Sequence, residues 1–258
     1  MQDKLYESII GGMTWSYSRL EAFENCKYSW YLKYMCEVDD DPGFYTSYGS
    51  FFHTILERYY KGELPKNEMK SHFLSDFPTC VIGKRPNAGI VEKYIRAGVT
   101  YLENFTPLEL NIVAVEKKVS FGIGELNFTG FIDILGERDG KYYIIDHKSR
   151  ELKPRSNRSP PTAKDAELDK MLRQLYLYSA AVKEEYGEFP AELCFNCFKS
   201  GVLIKEQFYI QNFNKTVEWA NKTVGEIKKE REFPPAIDFF YCKYLCGVRH
   251  ECCYAENL

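Results

Sequence analysis

The hydrophobic period of this sequence changes at Pro107, and that change narrows the folds open to it. Before Pro107, apolar residues recur at helical spacing. Leu20, Phe23, Tyr28 and Tyr31 do so between Thr14 and Tyr34, with Ser16 or Ser18 as the cap and Cys26 at a joint between two short helices. Phe52, Ile55, Leu56 and Tyr59 continue the pattern from Tyr48 to Lys61, and Ile90 to Asn104 repeats it. Residues 39–47, with Asp41-Pro42-Gly43, read as a loop, and residues 62–88 carry scattered Pro and Gly that define no element. After Pro107 come short alternating runs, Ile112 to Val119, Leu126 to Leu135 and Tyr142 to Asp146, divided by Gly122, Gly124, Asp139 and Gly140. They predict an antiparallel meander. Ala166 to Tyr186 then reads as a helix, Glu192 to Phe198 and Leu203 to Ile210 as a strand pair, and Asn214 to Arg231 as a helix ended by Pro234 and Pro235. The expected class is α/β: a central mixed sheet flanked by helices, behind a helical N-terminal part.

At 258 residues and 45% hydrophobic content the chain can bury one sizeable core. We read residues 1–258 as a single domain: a helical part over 14–105, a catalytic core over 107–232 and a cysteine-bearing segment over 233–258. No run of about 18 apolar residues occurs, and the first residues lack the basic-then-apolar order of a secretory signal. The expectation is a soluble cytoplasmic protein with no membrane partner. A net charge of -3 excludes a uniformly basic nucleic-acid coat but not a local basic surface. Nine cysteines in such a setting point to a metal rather than to disulfides. Cys242, Cys246 and Cys252 crowd into FYCKYLCGVRHECCY, a density at which thiolates are usually metal-bound; Cys253 is an alternative to Cys252. Cys194 and Cys197 lie three apart on a strand and so face opposite sides; with Cys36 and Cys80 they read as packing thiols.

The meander carries the chemistry. Its second strand ends Gly130-Phe131-Ile132-Asp133 and its third ends Ile144-Ile145-Asp146-His147-Lys148. Asp146 and Lys148 share a face, and Asp133 can meet Asp146 across the pair. Two carboxylates beside an ammonium suit phosphodiester hydrolysis, with the acids holding Mg²⁺ or Mn²⁺ and the lysine orienting water or stabilising charge. An Asp-x-Lys pair alone also fits a solvated strand end.

The order of further signals resembles the RecB-like, AddB-like branch of the PD-(D/E)XK nuclease superfamily. His53 is followed by Gly130-x-x-Asp133, Asp146-x-Lys148 and Gln174-x-x-x-Tyr178, and the opening Ser16-Tyr17-Ser18-Arg19-Leu20 with Phe23 and Cys26 is similar as well. The likeness spans Thr14 to Tyr254 and extends to nucleases of CRISPR spacer acquisition. It implies a restriction-endonuclease-like core in which His53, Asp133 and Asp146 bind the catalytic metal, with the backbone carbonyl of His147 completing the shell. Lys148 would be the catalytic lysine, with Gln174 and Tyr178 lining the site. Glu116 matches an acidic first-strand position of some members equally well as it matches a solvated strand residue. Cys26 would supply a fourth thiolate, so that a 4Fe-4S cluster joins the two ends of the chain; zinc on the same four thiolates is the alternative.

The activity so implied is a metal-dependent deoxyribonuclease, an exonuclease acting on DNA ends or single strands in recombination, repair or phage DNA metabolism. The alternatives are a CRISPR adaptation nuclease and a non-catalytic DNA-binding scaffold. The chain carries no G-x-x-x-x-G-K-[ST] motor motif, so a helicase, an annealing protein or an integrase is an expected partner besides DNA. Arg150, Lys153, Arg155, Arg158 and Lys164 fall in a flexible-looking segment after Lys148, which reads as a phosphate-binding flap or as a solvated loop.

Overall fold

The computed structural model describes residues 2–156 and 158–255. A first helix, α1 (Gln2–Gly11), lies in a stretch with no marked period and buries Tyr6 and Ile10. Helices α2 (Tyr17–Asn25) and α3 (Lys27–Tyr34) are split by Cys26, whose extended backbone ends the one and caps the other. Of the two candidate serines it is Ser16 that caps α2, accepting from the Arg19 amide at 3.2 Å. Helix α4 (Phe44–Tyr60) starts inside the expected loop, because Phe44, Ser47 and Tyr48 are buried on its inner face. Helix α5 (Lys66–Cys80) fills the stretch that defined no element. Met69, Phe73 and Phe77 bury one stripe at four-residue spacing, while Pro65 caps the helix and Pro78 lies in its last turn. Helix α6 (Ala88–Glu103) is capped by Asn87.

The sheet has five strands in the order of the chain: β1 (Asn111–Ile123), β2 (Leu126–Arg138), β3 (Lys141–Lys148), β4 (Glu192–Cys197) and β5 (Val202–Gln207). Only β3 and β4 run parallel, which requires a crossover, supplied by α7 (Ala163–Tyr186). Thr162 and Asp165 close a capping box at the start of α7. Helix α8 (Ile210–Lys229) follows β5. One sheet face packs on α7 with α2 and α8 outside it, around Leu20, Phe23, Ile144, Leu172, Phe195 and Val224. On the other side α4, α5 and α6 form a second core that includes Phe198. This is the mixed sheet flanked by helices that the sequence predicts. Among the described residues no helix is long and apolar enough to cross a membrane.

Two adjacent strands change face at one point. Val119, Phe121, Phe128 and Ile132 pack toward α7, whereas Ile112, Ile134 and Ile145 pack on the opposite side. Ile132 and Ile134 therefore face opposite ways, as do Lys117, which bonds Glu185 on α7, and its neighbour Val115, paired with Ile134. The residues between them are Glu116 and Asp133, and Glu116 adopts a left-handed backbone, φ 50°. Such irregularities re-aim a side chain, and strained backbone of this kind clusters at functional sites.

The segment after α8 returns to the start of the chain. Cys246 and Val248 pack on Leu32 of α3, and the rings of Phe240, tilted, and Tyr244, edge-on, pack against Tyr45 of α4. Gly247 sits where a β-carbon would run into the Asp40 side chain, and its carbonyl accepts from Asp41 at 2.8 Å. Cys194 and Cys197 do point to opposite faces of β4. Cys36 and Cys80, by contrast, are exposed and not packed, since each follows or ends a helix outside its buried stripe.

Candidate active site

The site forms where β2 and β3 diverge beneath α4. The last ladder pair is Ile134 with Ile145, so Asp133 and Asp146 stand opposite each other just beyond it. Asp133 turns one carboxylate oxygen to accept from the His147 amide at 2.6 Å, and the same oxygen lies 3.4 Å from Nδ1 of His53. Burial and the nearby Asp146 push the Asp133 carboxyl well above its ordinary range, a tendency that only a cation or a proton relieves. His53 and His147 are both held below the ordinary histidine range, chiefly by burial, so each imidazole is neutral at neutral pH.

Asp146 and Lys148 point to the α7 face. The Lys148 ammonium lies 2.7 Å from Asp146 Oδ2 and donates to Oε1 of Gln174 at 2.8 Å; the Gln174 amide in turn donates to the Tyr178 hydroxyl at 3.3 Å. Burial works against the charge on Lys148, but the Asp146 carboxylate outweighs it and raises the lysine pKa. Asp146 Oδ2 is buried, and apart from that ion pair no well-directed donor reaches it. An under-coordinated buried carboxylate oxygen is costly unless a cation shares it.

Glu116 joins the group from β1. Its carboxylate, a nitrogen of His53 and an oxygen of Asp133 all lie within 4.8 Å of one another, with His53 and Glu116 half-buried and Asp133 buried. That is a donor set of one imidazole and two carboxylates, as suits a divalent cation. Burial and then Glu57 raise the Glu116 pKa. His147 contributes through its backbone: its amide holds Asp133 and its carbonyl faces His53. Its ring turns to the opposite face, 3.0 Å from the Asn196 amide nitrogen, which donates to the Tyr101 hydroxyl at 2.6 Å.

Gly130 belongs to the site for a steric reason. A β-carbon there would overlap the Tyr178 ring, with Cζ and the hydroxyl each at 2.8 Å. Gly130→Ala should therefore displace Tyr178, cost about 1–3 kcal/mol of stability, and loosen the Gln174 contact to Lys148. A thermal melt with an activity assay checks this; an unchanged melting temperature would mean that the ring moves freely.

The cations of the segment after β3 are exposed, and three of them are held in ion pairs. Arg150 pairs with Glu167 at 2.6 Å, Lys153 with Glu151 at 2.6 Å, and Arg155 with Asp169 at 2.7 Å and Glu206 at 2.9 Å. Asp165 accepts from Ser156 and Thr162 and pins the far end. Among the described residues Arg158 and Lys164 of that group have no ion pair.

The four cysteines converge at the other end of α2. Cys26 Sγ accepts from the amides of Ser29 and Ala236, each at 3.4 Å. The Cys246 and Cys252 sulfurs receive backbone N–H groups from Val248 and from Tyr254 and Ala255, yet burial, with Cys26 and the neighbouring cysteines close by, pushes the Cys246 thiol up to about 11 and raises that of Cys252. Cys253 is exposed beside Tyr28, 3.6 Å from its hydroxyl.

A family model for the PD-(D/E)XK nuclease superfamily matches residues 14–253. Among solved structures, a candidate exonuclease from Eubacterium rectale superposes with a TM-score of 0.53 at 12% identity, covering 93% of this chain and 88% of that one. At that identity the likeness is one of fold. No curated protein matches the sequence.

Proposed function

Because this chain belongs to the PD-(D/E)XK nuclease superfamily, we propose that it is a Mg²⁺- or Mn²⁺-dependent deoxyribonuclease acting on DNA ends or single strands as an exonuclease. The observation that carries this reading is the meeting of His53, Glu116 and Asp133 within 4.8 Å, beside the Asp146–Lys148 pair. His53, Glu116, Asp133 and Asp146, with the carbonyl of His147, would hold the ion. A bound divalent cation supplies charge neutralisation at a phosphodiester and lowers the pKa of a water. Lys148 stays protonated, fixed by Asp146 and Gln174, and places its charge where phosphate negative charge grows. Tyr178 and Gln174 keep that ammonium in one orientation.

The four thiols support a second part of the proposal, a structural 4Fe-4S cluster on Cys26, Cys242, Cys246 and Cys252, with zinc as the other occupant of the same donors. Burial pushes the Cys246 thiol up to about 11 and raises that of Cys252, so these sulfurs would be thiolates only with a cation bound, and N–H groups aimed at three of the sulfurs would then stabilise that form. The exposed Cys253 fits this role less well than Cys252.

The test is incubation of end-labelled single- and double-stranded DNA with Mn²⁺, Mg²⁺ or EDTA, for the wild type and Glu116→Gln. Metal-dependent shortening from the ends is expected, with the variant needing at least about tenfold more Mn²⁺ for half-maximal rate, the scale of losing a partner at a metal site. Degradation that persists in EDTA would exclude the metal mechanism. An unshifted Mn²⁺ requirement would remove Glu116 from the ligand set.

A further inference from the structure

The two faces of β3 present different surfaces. Asp146 and Lys148 face α7, whereas Tyr143 and Ile145 line a groove of about 790 Å³ on the opposite side, walled by α6 and by the segment from Asn104 to Leu110. We propose that this groove is a second nucleic-acid site, holding a short stretch of single strand away from the catalytic centre. It deepens the nuclease reading and rests on it for the choice of ligand.

Charge is the first argument. Lys93 and Arg96 stand on the helical wall, with Arg138, Lys199 and Lys205 along the sheet, against two acids, Glu109 and Glu192. Arg96 pairs with Glu92 at 2.6 Å, but Lys93, Arg138, Lys199 and Lys205 have no ion pair among the described residues. In a chain of net charge -3 this is a local excess of unpaired cations, and it contrasts with the paired ones of the segment after β3. Cations without an acidic partner within ion-pair distance, Lys93 on one side and Arg138, Lys199 and Lys205 on the other, match a polyanion threaded between them.

Aromatic surface is the second argument. Tyr60, Tyr101, Phe105 and Tyr143 line the floor, and the rings of Tyr60 and Tyr101 are half-buried, with part of each open to the groove. Arg138 lies 5.2 Å above the Tyr143 ring, and Lys199 lies 4.3 Å from the Tyr94 ring. Rings interleaved with guanidinium and ammonium groups are how proteins bind single strands without reading sequence. An acidic peptide would use the cations but leaves the aromatic floor without a role.

The groove also touches the catalytic centre, through Asn196, through Tyr60, whose ring stacks on that of His147, and through Phe198 against the His53 ring. Asn196 lines it, and the same amide nitrogen contacts Tyr101 and the His147 ring, whose backbone holds Asp133. A strand seated on Tyr101 therefore abuts the back of the metal site.

The test measures binding of fluorescein-labelled oligo(dT) of about 20 nucleotides in EDTA, by anisotropy across a salt series. The wild type is compared with the Arg138→Glu, Lys199→Glu, Lys205→Glu triple variant and with Lys93→Glu alone, on the facing wall. Arg138 and Lys205 are exposed and Lys199 half-exposed, so the fold should survive, which a thermal melt checks. At least a tenfold loss of affinity is expected in the triple variant, with a salt slope smaller by about two, at 0.7 per lost phosphate contact. Lys93→Glu should weaken binding less, and Mn²⁺-dependent hydrolysis of bis(p-nitrophenyl) phosphate should not change in either variant. Unchanged affinity in both would overturn the proposal and leave the groove to a peptide. A wild type that binds in this charge-dependent way yet hydrolyses nothing would keep the groove and remove the nuclease reading.

Discussion

Lys148→Ala is expected to slow DNA hydrolysis by roughly a thousandfold while leaving DNA affinity within about a factor of two, because a donor aimed at developing charge acts mainly in the transition state. The ammonium is poised by three neighbours: Asp146 at 2.7 Å, Gln174 at 2.8 Å and the Phe195 ring, whose centroid is 5.8 Å away. None of these is a ligand that DNA displaces, so the charge needs no reorganisation when the phosphate arrives. Affinity should persist because phosphate contacts are spread over many residues. The measurement is single-turnover cleavage in Mn²⁺ beside binding in EDTA. Full activity in the variant would take Lys148 out of the chemistry, and a matching loss of affinity would make it a binding residue instead.

Cys246→Ala is expected to remove the metal proposed at the four cysteines and to lower the melting temperature by about 10–15 °C. A crosslink that ties residues as far apart as Cys26 and Cys242 restricts the unfolded chain by up to about 5.4 kcal/mol on the chain-entropy account, and each kcal/mol is about 2–4 °C for a chain of this size. Cys246 is the most buried of the three C-terminal thiols proposed as ligands, and it packs with Leu32 and Val248. Its loss therefore undocks the segment as well as the ligand. Serine at the same position separates the effects: it keeps the volume and drops the thiolate. Iron and acid-labile sulfide on anaerobically purified protein, with absorbance near 400 nm, distinguish cluster from zinc. A variant that melts with the wild type and keeps its metal would exclude Cys246 as a ligand.

Much of the architecture could be read from hydrophobic period. The meander, the α7 crossover and the break at Cys26 follow from spacing and caps, and Gln174 and Tyr178, four apart on α7, reach Lys148 as helix geometry requires. Helix α5 escaped because Pro65 and Pro78 look like breakers, whereas one caps the helix and the other occupies its last turn. Glu116 could not be separated from a solvated strand residue for a different reason. Its φ of 50° and the change of face at Asp133 are products of two strands meeting, and nothing in the local string Val115-Glu116-Lys117 encodes a left-handed residue that is neither Gly nor Asn. In the segment after β3 the arginines are legible as charges, but their partners Glu167, Asp169 and Glu206 come from α7 and β5, which no local string shows.

The docking of the last segment on α3 sets an order of events during synthesis. β1, β2 and β3 pair with sequence neighbours, so their contacts close short loops and form early. Cys26 emerges first among the thiols and then waits for nearly the whole chain before Cys242, Cys246 and Cys252 arrive. The carboxylates of the meander are thus shaped while both ends are still apart, and a nascent chain passes through a stage with an assembled hairpin pair and an open clasp. With a metal on the four cysteines, as proposed, loading rather than the making of the sheet would be the step that closes the clasp, and resistance to proteases would be expected to rise then.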